Sequence, residues 1–185
     1  MGWKAILERR VKMTAKEKIF TRGNGDKVSY QEMIKIISKY IATQPLASYE
    51  ITVGTDSQSH KRCHMVEVIA VHRIGDGGIF FYVESYIDRI NVLKQKIYEE
   101  TRRSLENAMG FVDALAYELI DYDIDLQEMF NRKQISFGVH ADIGHAGKTS
   151  ELISEIKGWI ESLKLDVVIK PDSYAASGIA NKISK

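Results

Sequence analysis

Cysteine is nearly missing from this chain of 185 residues: Cys63 stands alone. No disulfide can form within the chain, and a reducing compartment is expected. Long apolar runs are missing as well. No stretch approaches the roughly 18 uninterrupted apolar residues of a membrane-spanning helix. The first 22 residues are charged throughout and lack the apolar core of a secretory signal. The expectation is a cytoplasmic protein that does not engage a membrane. Proline occurs twice, at Pro45 and Pro171. An excess of charge of either sign is absent: 26 Lys and Arg against 25 Asp and Glu leave +1. The total therefore does not announce a strongly basic nucleic-acid binder. What remains is ordinary globular usage, 44% hydrophobic and 28% charged, which excludes a disordered chain. The length fits one domain with room for a short extra arm, and is enough to bury a real core.

The charge is unevenly placed. Residues 1–22 carry seven basic groups (Lys4, Arg9, Arg10, Lys12, Lys16, Lys18, Arg22) against two acids, Glu8 and Glu17. This divides the chain into a basic N-terminal arm, residues 1–28, and a domain over residues 29–185. The arm reads either as a solvated tail or as a handle for phosphate backbones through counterion release.

Ser29-x-x-Glu32 is a capping box. The apolar residues Met33, Ile36, Ile37, Tyr40 and Ile41 then recur at helical spacing up to Pro45. Three strands are expected next, at 49–60, 64–74 and 79–87. Their hairpin-length connections imply an antiparallel meander. A long helix is expected from about Asn91 to Leu119, then an acidic connector over 121–134. Strand 134–142, helix 150–163, strand 166–170 and a last helix at 173–184 complete the order β-β-β-α-β-α-β-α. Strands that alternate with crossover helices run parallel. The pattern is that of an α/β fold: a mixed five-stranded sheet with helices on both faces and one helix added in front.

Acids sit at the ends of otherwise apolar strands: Asp56 in ITVGTD, Asp142 in ISFGVHAD, and Asp172 after VVIKP. A buried carboxylate is costly unless it is paired or bound to a metal. In the mixed topology the first, fourth and fifth strands share one carboxyl edge, where α/β sheets usually place ligands. The long helix offers a fourth acid. Stepping about 100° per residue along its apolar stripe leaves Glu100 on the stripe's border and Glu99 facing solvent. Converging carboxylates call for divalent cations. An all-oxygen set selects hard ions such as Mg²⁺ or Mn²⁺, and a pair of them can hydrolyse a phosphodiester.

The acids in this order resemble the ribonuclease H-like superfamily. The segments VGTDSQSH, EETRRSLE, HADIGHAGKTS and IKPDSYAASGIANK are similar to the small bacterial YkuK-type family within it. The resemblance covers about residues 29–185. It implies the ribonuclease H-like fold and supports the metal-acid reading, without supplying an activity. On that reading Asp56 bridges two ions, Glu100 and Asp142 hold one each, and Asp172 completes the second. The chain is then a divalent-metal-dependent nuclease acting on RNA, DNA or a hybrid. The alternative is a catalytically silent module of the same fold that binds nucleic acid or protein. An actin-like ATPase needs two such domains and is set aside.

Each acid also has a plainer role. Asp56 can open a turn, Glu100 can pair on an exposed helix face with Lys96 or Arg103, Asp142 can cap a strand end, and Asp172 can cap the last helix. Other motifs fail on spacing. GHAGKT has Asp142 where a phosphate loop needs its first glycine, although Lys148 can still meet a phosphate of a nucleic-acid substrate. His145 is placed to assist proton transfer. DYDID lacks the glycine and glutamate of a calcium loop. His60, Cys63 and His64 are too few and too crowded for zinc.

Overall fold

The computed structural model describes residues 18–59, 61–144, 149–170 and 173. Seven strands form one sheet. In chain order they are β1 (Ile19–Arg22), β2 (Lys27–Ser29), β3 (Tyr49–Ser59), β4 (Cys63–Arg73), β5 (Gly78–Ile87), β6 (Ile135–Gly144) and β7 (Asp166–Lys170). Their order across the sheet is β2-β1-β5-β4-β3-β6-β7. The helices are α1 (Tyr30–Ala42), α2 (Leu93–Ala108), α3 (Phe111–Leu119), α4 (Leu126–Asn131) and α5 (Ile153–Ser162). The sheet is mixed as expected: β1 and β2 pair antiparallel, and β6 and β7 pair parallel.

The expected strand count was five, and the two additions are β1 and β2. All their residues but Ser29 were assigned to the basic arm, and they pair in register Ile19↔Ser29, Phe20↔Val28 and Thr21↔Lys27. Each is too short to show a period-two signal. Phe20, fully buried, is what ties this hairpin down. The expected long helix is two helices, because Gly110 takes a left-handed φ of 78° between α2 and α3. The acidic connector holds a 3₁₀ turn, Ile120–Tyr122, and α4. The expected last helix and residues 1–17 of the arm lie outside the described residues. Among the described residues no helix is long and apolar enough to cross a membrane.

The fold divides into two compact units, one from residues within 1–51, 70–81 and 106–136, the other from residues within 52–69, 82–105 and 137–185. In the first, α1 packs on α3. Met33, Ile37 and Ile41 of α1, and Phe111, Leu115 and Leu119 of α3, are all 0–1% exposed. Each such side chain contributes about 1.5–3 kcal/mol through burial. The capping box forms as read: the Glu32 amide donates to Ser29 Oγ and the Ser29 amide to Glu32 Oε2, at 3.2 and 2.7 Å. Arg73 closes this unit's other end. Its guanidinium lies 4.1 Å from the Tyr40 ring centre and donates to Tyr49 Oη, the Tyr40 carbonyl, Thr43 Oγ1 and Asp76 Oδ2.

In the second unit α5 carries the chain from β6 to β7 and buries Ile156 and Ile160, one turn apart. β6 is buried almost end to end, as an interior parallel strand is. Its ladder with β7 runs Gly138↔Asp166, Val139↔Val167 and His140↔Val168, and resumes only at Gly144↔Lys170. Four residues of β6 thus match two of β7, and Asp142 sits inside this bulge. Bulges re-aim side chains, often beside functional sites. Gly144 permits the close return, since a Cβ there would stand 3.1 Å from Lys170 Cβ.

Candidate functional site

The site is built within the second unit, from β3, α2 and the bulged end of β6. The inner face of α2 is partly polar: Glu100, Thr101 and Ser104 are 7%, 4% and 1% exposed. This face meets Thr55 and Ser57 of β3. Ser104 Oγ donates to Thr55 Oγ1 at 3.0 Å. Ser57 Oγ donates to Glu100 Oε1 at 2.7 Å, and the Ser57 amide donates to Asp56 Oδ1 at 2.8 Å. Ser57 is thus the link between two of the acids. Lys96, one turn before Glu100, donates to the Ser57 carbonyl at 2.7 Å and stands 3.7 Å from Glu100 Oε1. Lys170, the last residue of β7, pairs with Asp142 Oδ1 at 2.7 Å.

Burial dominates the electrostatics. It pushes the Glu100 carboxyl up to about 7, against the pull of the Ser57 hydroxyl and Lys96, and the charges of Asp56 and Asp142 push the same way. Burial also raises Asp56; the Ser57 amide opposes it and Asp142 adds to it. Three carboxylates therefore share one field, with Lys96 and Lys170 as the local counter-charge.

The structure brings Asp56, Glu100 and Asp142 into that common field. Asp172, His145 and Lys148 lie outside the described residues. The expected convergence is looser than sequence order implied. Among the described residues no three acidic, histidine or cysteine side chains form a group able to hold one ion. In this site Lys96 stands beside Glu100 and Lys170 on Asp142, so cations of the chain itself lie among the acids. The site's donor chemistry, all carboxylate oxygen, still suits a hard divalent cation.

Sequence reasoning missed Ser57 and Lys170. The one signal for Ser57 was its place beside Asp56; for Lys170, a cation ending an apolar strand. The plainer role for Glu100 is half realised. It pairs with Lys96, but at 7% exposure rather than on an open face. Arg103 turns elsewhere, to Glu99, Glu67 and Ser85. Of His60, Cys63 and His64, the first lies outside the described residues; Cys63 is buried against Met65, and His64 contacts Glu84 at 3.0 Å and stacks on Tyr86.

A family profile described as Ribonuclease H-like matches residues 32–185. A Bacillus subtilis (strain 168) protein, named uncharacterized protein YkuK, is 32% identical over 160 residues, covering 85% of this chain and 92% of the relative. The chain belongs to the ribonuclease H-like family, in its YkuK-type branch. No solved structure matches it significantly. In this YkuK-type chain the motif blocks VGTDSQSH and EETRRSLE are the segments that meet at Ser57 and Glu100. The block HADIG forms the bulged end of β6.

Proposed function

We propose that this chain is a divalent-metal-dependent nuclease that hydrolyses phosphodiester bonds in RNA or DNA. The observation that carries the reading is the common field of Asp56, Glu100 and Asp142, brought from three separate elements of a ribonuclease H-like fold. Asp56, Glu100, Asp142 and Asp172 are the residues to hold Mg²⁺ or Mn²⁺, with Lys96 and Lys170 yielding their places beside the carboxylates. Such a pair of cations, when bound, activates water and stabilises the leaving oxygen. The chain's own work is to position and to balance charge. Ser57 orients Glu100 through its hydroxyl and Asp56 through its amide. Glu100, titrating at about 7, is able to change protonation at working pH. His145 and Lys148, which follow β6 in the sequence, are proposed to serve the departing group and a substrate phosphate.

A second reading has its own support. Lys96 and Lys170 already balance two of the acids, and no ready chelating group is formed among the described residues. A ribonuclease H-like module that binds nucleic acid or protein without turnover fits that state. Fold alone does not decide between them. Calorimetric titration with Mn²⁺, run beside cleavage assays on single-stranded, duplex and hybrid oligonucleotides, separates the two. The nuclease binds Mn²⁺ and cleaves, and Asp56→Asn abolishes both while thermal unfolding stays cooperative. Cleavage that survives Asp56→Asn removes the metal role of this residue. Metal or oligonucleotide binding without cleavage establishes the silent module.

A further inference from the structure

Within the first unit, α3 and the turn that follows it carry an apolar patch on the surface. Tyr117 is 75% exposed, Ile120 65% and Tyr122 43%. Tyr117, Ile120, Ile124 and Leu126 line a groove of about 670 Å³, with Asp123 and Asp125 on its rim. Residues 111–134 hold six acids against Arg132 and Lys133, and Arg132 is engaged with Glu128. An apolar patch with a polar rim marks an interaction surface, and here the rim is acidic.

The complementary stretch lies in the same chain. Residues 1–17 hold Trp3, Ile6, Leu7 and Val11 at spacings of three and four, interspersed with Lys4, Arg9, Arg10, Lys12 and Lys16. Its point of departure is also close. Lys18 Nζ donates to Asn107 Oδ1 at 3.1 Å. Asn107, fully buried, stands three residues before Gly110, where α3 begins. From there α3 advances only about 13 Å to its end. The seven residue steps from Val11 to Lys18 can span roughly 23 Å.

We infer that residues 3–12 dock onto the α3 patch of their own chain. Trp3, Ile6 and Leu7 cover Tyr117 and Ile120, and the basic residues face Asp121, Asp123 and Asp125. The arm's charge is then neutralised within the chain rather than held out to phosphates. The inference does not depend on the nuclease reading.

The test uses Trp3 as a probe in the full chain carrying Trp159→Phe, which leaves one tryptophan. Docking predicts blue-shifted Trp3 emission and several-fold weaker acrylamide quenching than in the unfolded chain. Both are lost on Tyr117→Ser with Ile120→Ser, at exposed positions whose change leaves the circular dichroism intact. Raising salt weakens the shielding. As a second measurement on the natural tryptophans, removing residues 1–17 accelerates amide exchange over residues 116–127. Three results overturn the inference: water-exposed Trp3 in the parent, shielding indifferent to Tyr117 and Ile120, or shielding that grows with protein concentration, which would place the arm on a second copy.

Discussion

The Ser57 hydroxyl donates to the Glu100 carboxylate at 2.7 Å across a separation of 43 residues. This bond is the direct tie between β3 and the acid of α2, and it satisfies an oxygen that is shut off from water. Ser57→Ala leaves that oxygen without its donor. A loss of about 1–2 kcal/mol is expected in urea unfolding at pH 8. The Glu100 titration moves further above its present position, read by carbon-13 NMR of the side-chain carboxyl. Ser57→Thr keeps the donor and restores most of the stability.

Glu100 makes stability depend on pH with a definite sign. Its carboxyl titrates at about 7 in the fold and at 4.5 as a free side chain. Between these values the native state holds a proton that the unfolded chain has released. Stability therefore rises as pH falls from above 7 toward 4.5, and the deficit is complete above 7. In chelator-treated protein, Glu100→Gln is expected to stabilise by on the order of 1–3 kcal/mol at pH 8–9, with little difference left near pH 4.5. Denaturant midpoints of the two proteins across pH 4–9 check this. Curves that stay parallel contradict it.

Arg103 holds a buried acid of β4. Its guanidinium contacts Glu67 at 2.8 Å, with the Glu67 side chain 1% exposed, and also binds Ser85 and Glu99. Arg103→Ala removes this guanidinium from the buried Glu67 carboxylate and is expected to cost about 3 kcal/mol. Arg103→Lys recovers only part, because a lysine cannot present the same fork of donors. Adding Glu67→Gln to Arg103→Ala recovers more. Thermal unfolding of the three proteins reports the order.

Gly110 separates α2 from α3 at a φ of 78°. In a continuous helix Gly110→Ala would stabilise through helix propensity. At this left-handed position it is expected to destabilise by about 1–2 kcal/mol. The sign of the change in urea midpoint is the readout.

That glycine also shows where pattern reading stopped. Apolar spacing from Leu93 through Leu115 ran on without a visible break, because one residue in the left-handed region hardly disturbs the periodicity on either side. β1 and β2 escaped for a related reason: strands of four and three residues are too short to alternate legibly, and their basic neighbours made them look like an arm. By contrast, the strands Tyr49–Ser59 and Cys63–Arg73, the cap at Ser29 and the helix behind it were all legible. Long alternation and capping chemistry are local properties.

The amino-acid sequence by itself determined the family, the mixed sheet and the choice of Asp56, Glu100 and Asp142 as the acids to examine. Each of those follows from residue types at short range or from whole motif blocks. Only the tertiary structure decided that Ser57 meets Glu100 and that Thr55 meets Ser104 on the same face of β3. It alone placed Asp142 in a bulge beside Lys170. Which face a side chain takes, and which distant cation meets it, depend on strand register and helix docking, and those are settled only when the elements pack.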